Sequence, residues 1–116
     1  MIDIIITTYN SADTLSETLE SICNQKNVPR ICVYIIDDGS NCGYEDVINK
    51  YNNQIEIVFK KNNENKGPGY ARNNGLELSK NKYIIFIDSD DVFSHDNAIY
   101  NLYQAIVNSE CDVVTS

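Results

Sequence analysis

The chain has 116 residues, of which 42% are hydrophobic, so it is long enough for one domain with a packed core. Its 17 acidic and 9 basic residues give a formal net charge of −8 at pH 7, which argues against nucleic acid or an anionic membrane surface as the main partner. No apolar stretch approaches the roughly 20 residues of a spanning helix. The N-terminus lacks the basic region and long apolar run of a signal peptide, so a cytosolic protein is expected.

The first half of the chain alternates short apolar strands with helices. Residues 2–8 and 31–37 are β-branched and apolar, as strands buried on both faces are. Between them, Ser11 is the predicted N-cap of a helix whose apolar residues recur at i, i+4, i+7 and i+8. The next predicted elements are a short helix over residues 44–52 and a strand over residues 55–60.

The second half continues this alternation. A loop rich in Asn and Gly leads to a helix that begins near Pro68, a residue suited to the first helical turn, and that is weakened by Gly75. A fourth strand is predicted over residues 82–88, an amphipathic helix within residues 96–110, and the start of a fifth strand over residues 111–116. Alternating helices and buried strands predict an α/β fold with a mostly parallel sheet covered by helices on both faces.

The four cysteines do not form a metal or redox motif, because no two of them are spaced C-x-x-C. Cys23, Cys32 and Cys111 lie in apolar or amphipathic segments. We interpret these three as small core residues.

Acidic residues follow two of the predicted strands. Asp37 and Asp38 end the second strand in "IIDDGS", and Asp88, Asp90 and Asp91 follow the fourth in "IIFIDSDD". Because ligands of open α/β sheets lie outside the carboxyl ends of the strands, we expect both clusters, and the "TTYN" that ends the first strand, to line one crevice. An all-oxygen cluster suits Mg²⁺ or Mn²⁺, and such an ion would let this acidic chain hold a diphosphate.

Each of these features also has a purely structural interpretation. "DDGS" is a common turn sequence, and "DSDD" is compatible with a solvated acidic loop. Tyr9 is either a stacking surface for a base or an aromatic packed at a strand end, and Arg72 is either a phosphate partner or a solvated helix residue. Gly67 and Gly69 give their loop freedom to approach a ligand, although a simple flexible loop explains them equally well. His95, the only histidine, is interpreted as an exposed loop residue.

Four short motifs occur together along the chain. They are "TYN" after the first strand, "DDGS" after the second, "GPGYARNNG" before the fourth, and "DSD" after the fourth. In this combination they resemble the nucleotide-binding half of family 2 glycosyltransferases, which have a GT-A fold with a Rossmann-like nucleotide-binding half. The resemblance covers essentially the whole chain. It implies that residues 1–116 are one nucleotide-sugar-binding domain, a fragment of a longer glycosyltransferase.

The resemblance implies an activity and its partners. Such enzymes move a sugar from a nucleotide-diphosphate donor, here expected to be a UDP-sugar, to an acceptor hydroxyl with inversion. The implied acceptor is a saccharide or a lipid-linked molecule. The implied location is the cytoplasm, with peripheral association of the full-length protein at the inner face of the membrane.

Residues at the nucleoside end of the site are implied in the same way. Thr7 and Tyr9 would contact the nucleobase, and Asn10, at the same strand end, is assigned to nucleotide binding with them. Asp38 would hydrogen-bond the base, typically uracil. The family frequently has Pro where Thr7 stands, which is a departure from its pattern.

At the other end of the site, the resemblance implies a metal-bound diphosphate. Arg72 lies in the helix that lines the donor pocket, and Asp88 would lie near the ribose and diphosphate. Asp90 would hold Mn²⁺ or Mg²⁺, and Asp91 would share or take that role. The general base, usually Asp or Glu, lies beyond the D-x-D region in this family, so we assign no catalytic residue.

Three alternatives remain open at the level of sequence. A phospho-receiver domain also has a small parallel sheet and an acidic Mg²⁺ pocket, but its acidic pair follows the first strand, where this chain has "TTYN". A nucleotidyltransferase would have a loop rich in Gly and Arg at that position. A non-catalytic nucleotide-binding domain would share the motifs without the activity.

Overall fold

A computed structural model describes residues 2–28, 30–81, 83–93 and 95–109. The elements in chain order are β1 (Ile2–Thr8), α1 (Ala12–Cys23), β2 (Ile31–Asp37), α2 (Glu45–Tyr51), β3 (Glu56–Lys61), α3 (Pro68–Leu78), β4 (Tyr83–Asp88) and α4 (Ala98–Ser109). The predicted bounds of the first two strands are confirmed, and the other predicted elements are found within one or two residues of their expected ends. The predicted fifth strand, residues 111–116, and Cys111 with it, lie outside the described residues.

The four strands form one sheet in the order β3-β2-β1-β4, and every neighbouring pair is parallel. Residues of α1, α2 and α4 share a core cluster with one face of the sheet, whereas α3 packs on β1 and β2 from the other face. This confirms the predicted α/β fold with helices on both faces. Each crossover between parallel strands carries a helix, as parallel pairing requires.

The inner strands β1 and β2 are buried along their whole length. On β1, Ile4 and Ile6 face the cluster that includes Leu15 and Leu19 of α1, while Ile5 faces α3. Each fully buried Ile or Leu side chain contributes about 1.5–3 kcal/mol relative to exposure. The edge strands β3 and β4 are only partly covered, because each has a neighbouring strand on one side only among the described residues.

Asp3 is a carboxylate in an otherwise apolar strand, and it is fully buried. Its Oδ2 accepts hydrogen bonds from the backbone N–H groups of Lys80 (2.8 Å) and Asn81 (2.9 Å), and its Oδ1 accepts one from Asn81 Nδ2 (2.6 Å). A buried polar group without such partners would cost about 1–3 kcal/mol. Asp3 therefore joins the start of β1 to the connection between α3 and β4.

Ser11 occupies the N-cap position of α1, as predicted, but its hydroxyl does not cap the helix. The Oγ donates instead to the backbone carbonyl of Tyr9, at 2.7 Å. The prediction is thus confirmed for the position and wrong for the side chain. The hydroxyl stabilises the turn that precedes the helix rather than the helix itself.

Cys23, Cys32 and Cys42 are free thiols. Cys32 is buried against α3, and Cys23 is half-buried beside the main core cluster, which confirms the interpretation of both as core residues. Burial raises the pKa of both thiols and is also the main cause that raises the pKa of Tyr34 to about 12.

None of the helices in the described part of the chain combines the length and the apolar character that crossing a membrane requires.

Helix α3 approaches β1 through Gly75. A Cβ atom at this position would lie 2.4 Å from Cγ2 of Ile5, which is fully buried and branched at its own Cβ. Gly75 was predicted to weaken the helix, but its lack of a side chain is what allows α3 to lie so close to the sheet. Real Cβ atoms are not found at this distance, so any side chain here must displace Ile5 or the helix.

We expect Gly75→Ala to lower the free energy of unfolding by about 1–2 kcal/mol, because overpacking against Ile5 exceeds the gain in helix propensity. Gly69→Ala is the matched control in the same helix, since nothing lies within 4 Å of a Cβ there. The control is expected to be neutral or to stabilise by up to about 1 kcal/mol. Urea unfolding monitored by circular dichroism measures both. Equal stabilisation by the two substitutions would contradict the close approach at Gly75.

Candidate functional site

A cleft of about 380 Å³ opens where β1, β2 and β4 end. Six of the residues that were predicted to bind nucleotide or metal line it: Thr7, Tyr9, Asp38, Arg72, Asp88 and Asp90. Five further residues line the cleft that were not predicted to bind nucleotide or metal: Thr8, Ser11, Asn65, Pro68 and Ser89. The expected convergence on one crevice is confirmed for the ends of all three strands, because Thr7, Thr8 and Tyr9, Asp38, and Asp88 and Asp90 all line the cleft. The other members of these stretches, Asn10, Asp37 and Asp91, do not line it.

The strand register brings these residues together. In the sheet, Thr8 of β1 is aligned with Asp37 of β2, and Thr7 is aligned with Asp88 of β4. Thr7 Oγ1 donates a hydrogen bond to Asp88 Oδ1 at 3.1 Å, and the backbone N–H of Asp38 donates to the carbonyl of Thr8 at 2.9 Å. Strands that end in line in a parallel sheet present their following residues to the same edge.

The two aspartates of "DDGS" have different environments. Asp37 is fully buried, and its Oδ1 accepts hydrogen bonds from both the backbone N–H and the hydroxyl of Ser40, so it forms the turn. Asp38 lines the cleft and is 5% exposed. The turn interpretation is thus right for Asp37, whereas Asp38 belongs to the wall of the cleft. That Asp38 binds a base stays a prediction.

Asp38 also holds one wall of the cleft. Its Oδ1 accepts the backbone N–H of Lys66 and its Oδ2 that of Gly67, each at 2.9 Å. Gly39, with φ +83°, lies so close to this loop that a Cβ would be 2.6 Å from the carbonyl carbon of Glu64. The glycine and the carboxylate together bring the loop that contains Asn65 to the cleft.

Tyr9 and Asn10 form the turn between β1 and α1. Tyr9 is 45% exposed and lines the cleft, so the interpretation of Tyr9 as a packed aromatic is wrong. Asn10 adopts a left-handed conformation with φ 48°, and its Oδ1 accepts the backbone N–H of Asn41 at 2.8 Å. Asn10 is not among the residues that line the cleft. Its assignment to nucleotide binding stays a prediction, and its observed contact holds the turn.

Asp88, Asp90 and Asp91 form a group of carboxylates at the end of β4. Each offers an oxygen, and these oxygens lie within 4.8 Å of one another. An all-carboxylate set that solvent can reach fits a hard divalent cation, because Mg²⁺ and Mn²⁺ prefer oxygen ligands and keep part of their hydration shell. Among the described residues, His95 is exposed and lies outside this group, as interpreted from the sequence.

Arg72 supplies the positive charge next to this acidic group. Its Nη2 lies 3.2 Å from Asp88 Oδ1, and both side chains are about half-exposed. An exposed ion pair of this kind is worth about 0–1 kcal/mol. The guanidinium can therefore turn to an anionic ligand in the cleft at little cost.

Helix α1 fixes the backbone of the acidic turn. The buried hydroxyl of Thr18 contacts the carbonyls of Ser89 (2.9 Å) and Asp91, and Ser21 Oγ accepts the backbone N–H of Phe93 at 3.2 Å. Thr18 was not among the residues that the sequence predicted for the site. The available signal was a polar residue on the buried face of α1, next to Leu19.

Known proteins of one family are similar to this chain. The sequence pattern of Glycosyl transferase family 2 matches residues 3–116. The chain is 34% identical over 119 aligned residues to the poly(ribitol-phosphate) beta-glucosyltransferase of Bacillus spizizenii. This match covers 97% of the chain and 18% of that protein. It is 42% identical over 93 residues to the Escherichia coli UDP-Glc:alpha-D-GlcNAc-diphosphoundecaprenol beta-1,3-glucosyltransferase WfaP, covering 78% of the chain and 36% of that protein.

Among solved structures, S. aureus TarS 1-349 in complex with UDP has a similar fold. It superposes with a TM-score of 0.84 at 27% sequence identity, covering 94% of this chain and 32% of that one. The chain thus spans between 18% and 36% of the length of these three proteins. The shared architecture confirms the Rossmann-like half of a GT-A fold. By sequence pattern and by fold, the chain belongs to Glycosyl transferase family 2.

Proposed function

We propose that residues 1–116 are the donor-binding domain of a longer, inverting, metal-dependent glycosyltransferase whose donor is a UDP-sugar. The observation that carries the proposal is that Asp38 and Asp90, which follow different strands, line the same cleft. Two relatives support the choice of nucleotide. The name of the E. coli relative specifies UDP-Glc, and S. aureus TarS has been solved in complex with UDP.

In this proposal the nucleoside occupies the side of the cleft formed by Thr7, Tyr9 and Asp38. The exposed ring of Tyr9 offers a stacking face for the base. Each oxygen of Asp38 already accepts one backbone N–H, and because a carboxylate oxygen has two lone-pair sites, each can accept another from the base. Asn10 completes the proposed nucleotide set by holding the turn that carries Tyr9.

The diphosphate is proposed to lie against Arg72 and Asp88. Asp90 would hold Mn²⁺ or Mg²⁺, and Asp91 would share the ion. A divalent ion bound there would neutralise charge that builds on the leaving diphosphate. Arg72 would exchange its contact with Asp88 for a phosphate oxygen, which matches guanidinium geometry well.

The acceptor and the general base complete the proposal. We propose a saccharide or lipid-linked acceptor, since the names of two relatives specify poly(ribitol-phosphate) and a GlcNAc-diphosphoundecaprenol. Such an acceptor would place the full-length protein in the cytoplasm, peripherally associated with the inner face of the membrane. The base that deprotonates the acceptor hydroxyl is assigned to a part of the protein outside residues 1–116.

The metal assignment predicts that Asp90→Asn removes the metal-dependent part of nucleotide binding. We expect Mn²⁺ to raise UDP affinity by about ten-fold or more in the unmodified protein, because one additional charge-assisted contact to the diphosphate is worth about 1.5–3 kcal/mol. In Asp90→Asn, UDP should bind equally with and without Mn²⁺. Isothermal titration of UDP with and without Mn²⁺ measures this difference.

Glu77→Gln is the matched control, because it removes the same charge from an exposed position on α3 that does not line the cleft. Its UDP affinity and Mn²⁺ dependence should equal those of the unmodified protein. An Mn²⁺ effect in Asp90→Asn as large as in this control would contradict the assignment of Asp90.

The assignment of Asp38 predicts a loss of base preference in Asp38→Ala. A hydrogen bond to a charged group contributes about 1.5–3 kcal/mol, so the ratio of UDP to ADP affinity should fall by about ten-fold or more. Competition of the two nucleotides in the presence of Mn²⁺ gives the ratio. Asp38→Ala also removes the hydrogen bonds to the backbone of residues 66–67, and a resulting shift of that loop would weaken UDP and ADP alike. ADP therefore serves as the internal control. An equal loss for both nucleotides would assign Asp38 to the loop alone.

A further inference from the structure

We propose that Tyr44 is a positioning residue for the nucleotide site, whose buried phenol holds the turn of residues 8–11 in the shape that presents Tyr9 to the cleft. This inference rests on the proposed nucleotide-binding function. Tyr44 immediately precedes α2, does not line the cleft, and is 3% exposed. Tyr44 would therefore affect ligand binding indirectly, by positioning the residues that it contacts.

The phenolic oxygen of Tyr44 contacts both ends of the turn. It lies 3.0 Å from Thr8 Oγ1 and 3.1 Å from the backbone nitrogen of Ser11. It also lies 2.9 Å from Ser40 Oγ, in the turn that follows β2. One oxygen atom thus connects the end of β1, the start of α1 and the "DDGS" turn.

The hydrogen bonds of Ser40 determine which atoms donate and which accept around the Tyr44 phenol. Its single hydroxyl proton is donated to Asp37 Oδ1, which is a carboxylate oxygen and can only accept. Ser40 Oγ also accepts the backbone N–H of Asn10, at 2.7 Å. With its own proton committed, Ser40 Oγ accepts from Tyr44, so Tyr44 is the donor in that contact.

Because Tyr44 donates to Ser40, its other two hydrogen bonds can be assigned as well. Because its proton points at Ser40, its oxygen accepts from the Thr8 hydroxyl and from the Ser11 N–H. The oxygen then has one donor bond and two acceptor bonds, which uses its full capacity. Burial raises the pKa of the Tyr44 phenol, so the proton that it donates is present throughout the physiological pH range.

The turn depends on this support because residues 9–11 lie between β1 and α1 and belong to neither element. Asn10 has φ 48°, in the left-handed region that Asn tolerates better than most non-glycine residues, so contacts to neighbouring segments must hold this shape. Tyr9 is 45% exposed and little packed against the core, so the position of its ring depends on the backbone of the turn. Without the phenolic oxygen, the Ser11 N–H and the Thr8 hydroxyl lose their acceptor. We therefore infer that the turn samples other shapes and that Tyr9 is presented to the base for a smaller fraction of the time.

Tyr44→Phe tests this inference, with Tyr51→Phe as the matched control. Tyr51 is also 3% exposed and lies in the same core cluster, and its hydroxyl contacts Ser16 Oγ at 3.3 Å, away from the cleft. Both variants lose one phenolic oxygen from the core. Calorimetry with Mn²⁺ gives the affinities for UDP and for inorganic pyrophosphate, and amide hydrogen exchange reports on residues 8–11.

We expect Tyr44→Phe to lower UDP affinity by about three- to ten-fold, because this is the effect of losing one hydrogen bond. Pyrophosphate affinity should stay unchanged. The amides of Asn10 and Ser11 should exchange faster. Tyr51→Phe should change neither affinity and should leave these amides as they are. Equal losses for UDP and pyrophosphate, or unchanged exchange at Ser11, would overturn the proposal.

The two proposals fail in different ways. If the unmodified protein binds no UDP in the presence of Mn²⁺, the proposed function is wrong. Exchange at Asn10 and Ser11 in the ligand-free variants then still decides whether Tyr44 holds the turn. If UDP binds but Tyr44→Phe behaves like Tyr51→Phe in every measurement, only the positioning role is wrong.

Discussion

The parallel alignment of β1 between β2 and β4 determines where the residues of the cleft lie. Because the three strands end in register, Thr7, Asp38 and Asp88 come to one edge of the sheet although they are far apart in the chain. Packing on both faces of β1 and β2 fixes that register, because Ile4 and Ile6 meet the cluster that includes α1 while Ile5 meets α3, and a shift of one residue would exchange these fitted contacts. The core thus determines the geometry of the cleft.

Electrostatics explains how an acidic domain can accept an anionic ligand. The carboxylates of Asp88, Asp90 and Asp91 repel one another, and Arg72 compensates only part of that charge. The backbone of the acidic turn is nevertheless held by Thr18, so the carboxylates remain close. A divalent cation would reduce this repulsion and would bring positive charge to the ligand, so in the proposed site the cation and the diphosphate would each favour binding of the other.

Much of the fold and of the cleft could be predicted from the sequence, because both depend on local patterns. Apolar runs predicted the strands, and the positions of Asp38 and Asp90 directly after those strands predicted that both residues line one cleft. Features that depend on long-range contact could not be predicted. The close approach of Gly75 to Ile5 is an example, because nothing in the local sequence indicates how near a helix lies to its sheet.

The hydroxyl groups were missed for the same reason. Thr18 resembles an ordinary helix residue, and Tyr44 resembles an ordinary core aromatic, until the partners of their oxygens are known. The family match over residues 3–116 contradicts the phospho-receiver and nucleotidyltransferase alternatives, which rested on the same strand-end carboxylates. Carboxylates at strand ends indicate an acidic pocket, and only the combination with the other motifs identifies the family.

We propose that one metal-bound nucleotide diphosphate lies where β1, β2 and β4 end. Paramagnetic broadening by Mn²⁺, in ¹⁵N spectra of the protein with UDP, reports where the ion binds. We expect the amide signals of Tyr9, Gly39 and Ser89 to broaden together, while those of Ile31 and Glu56, at the opposite ends of their strands, stay sharp. Broadening of Ser89 without Tyr9 and Gly39, or broadening spread over the acidic surface, would contradict it.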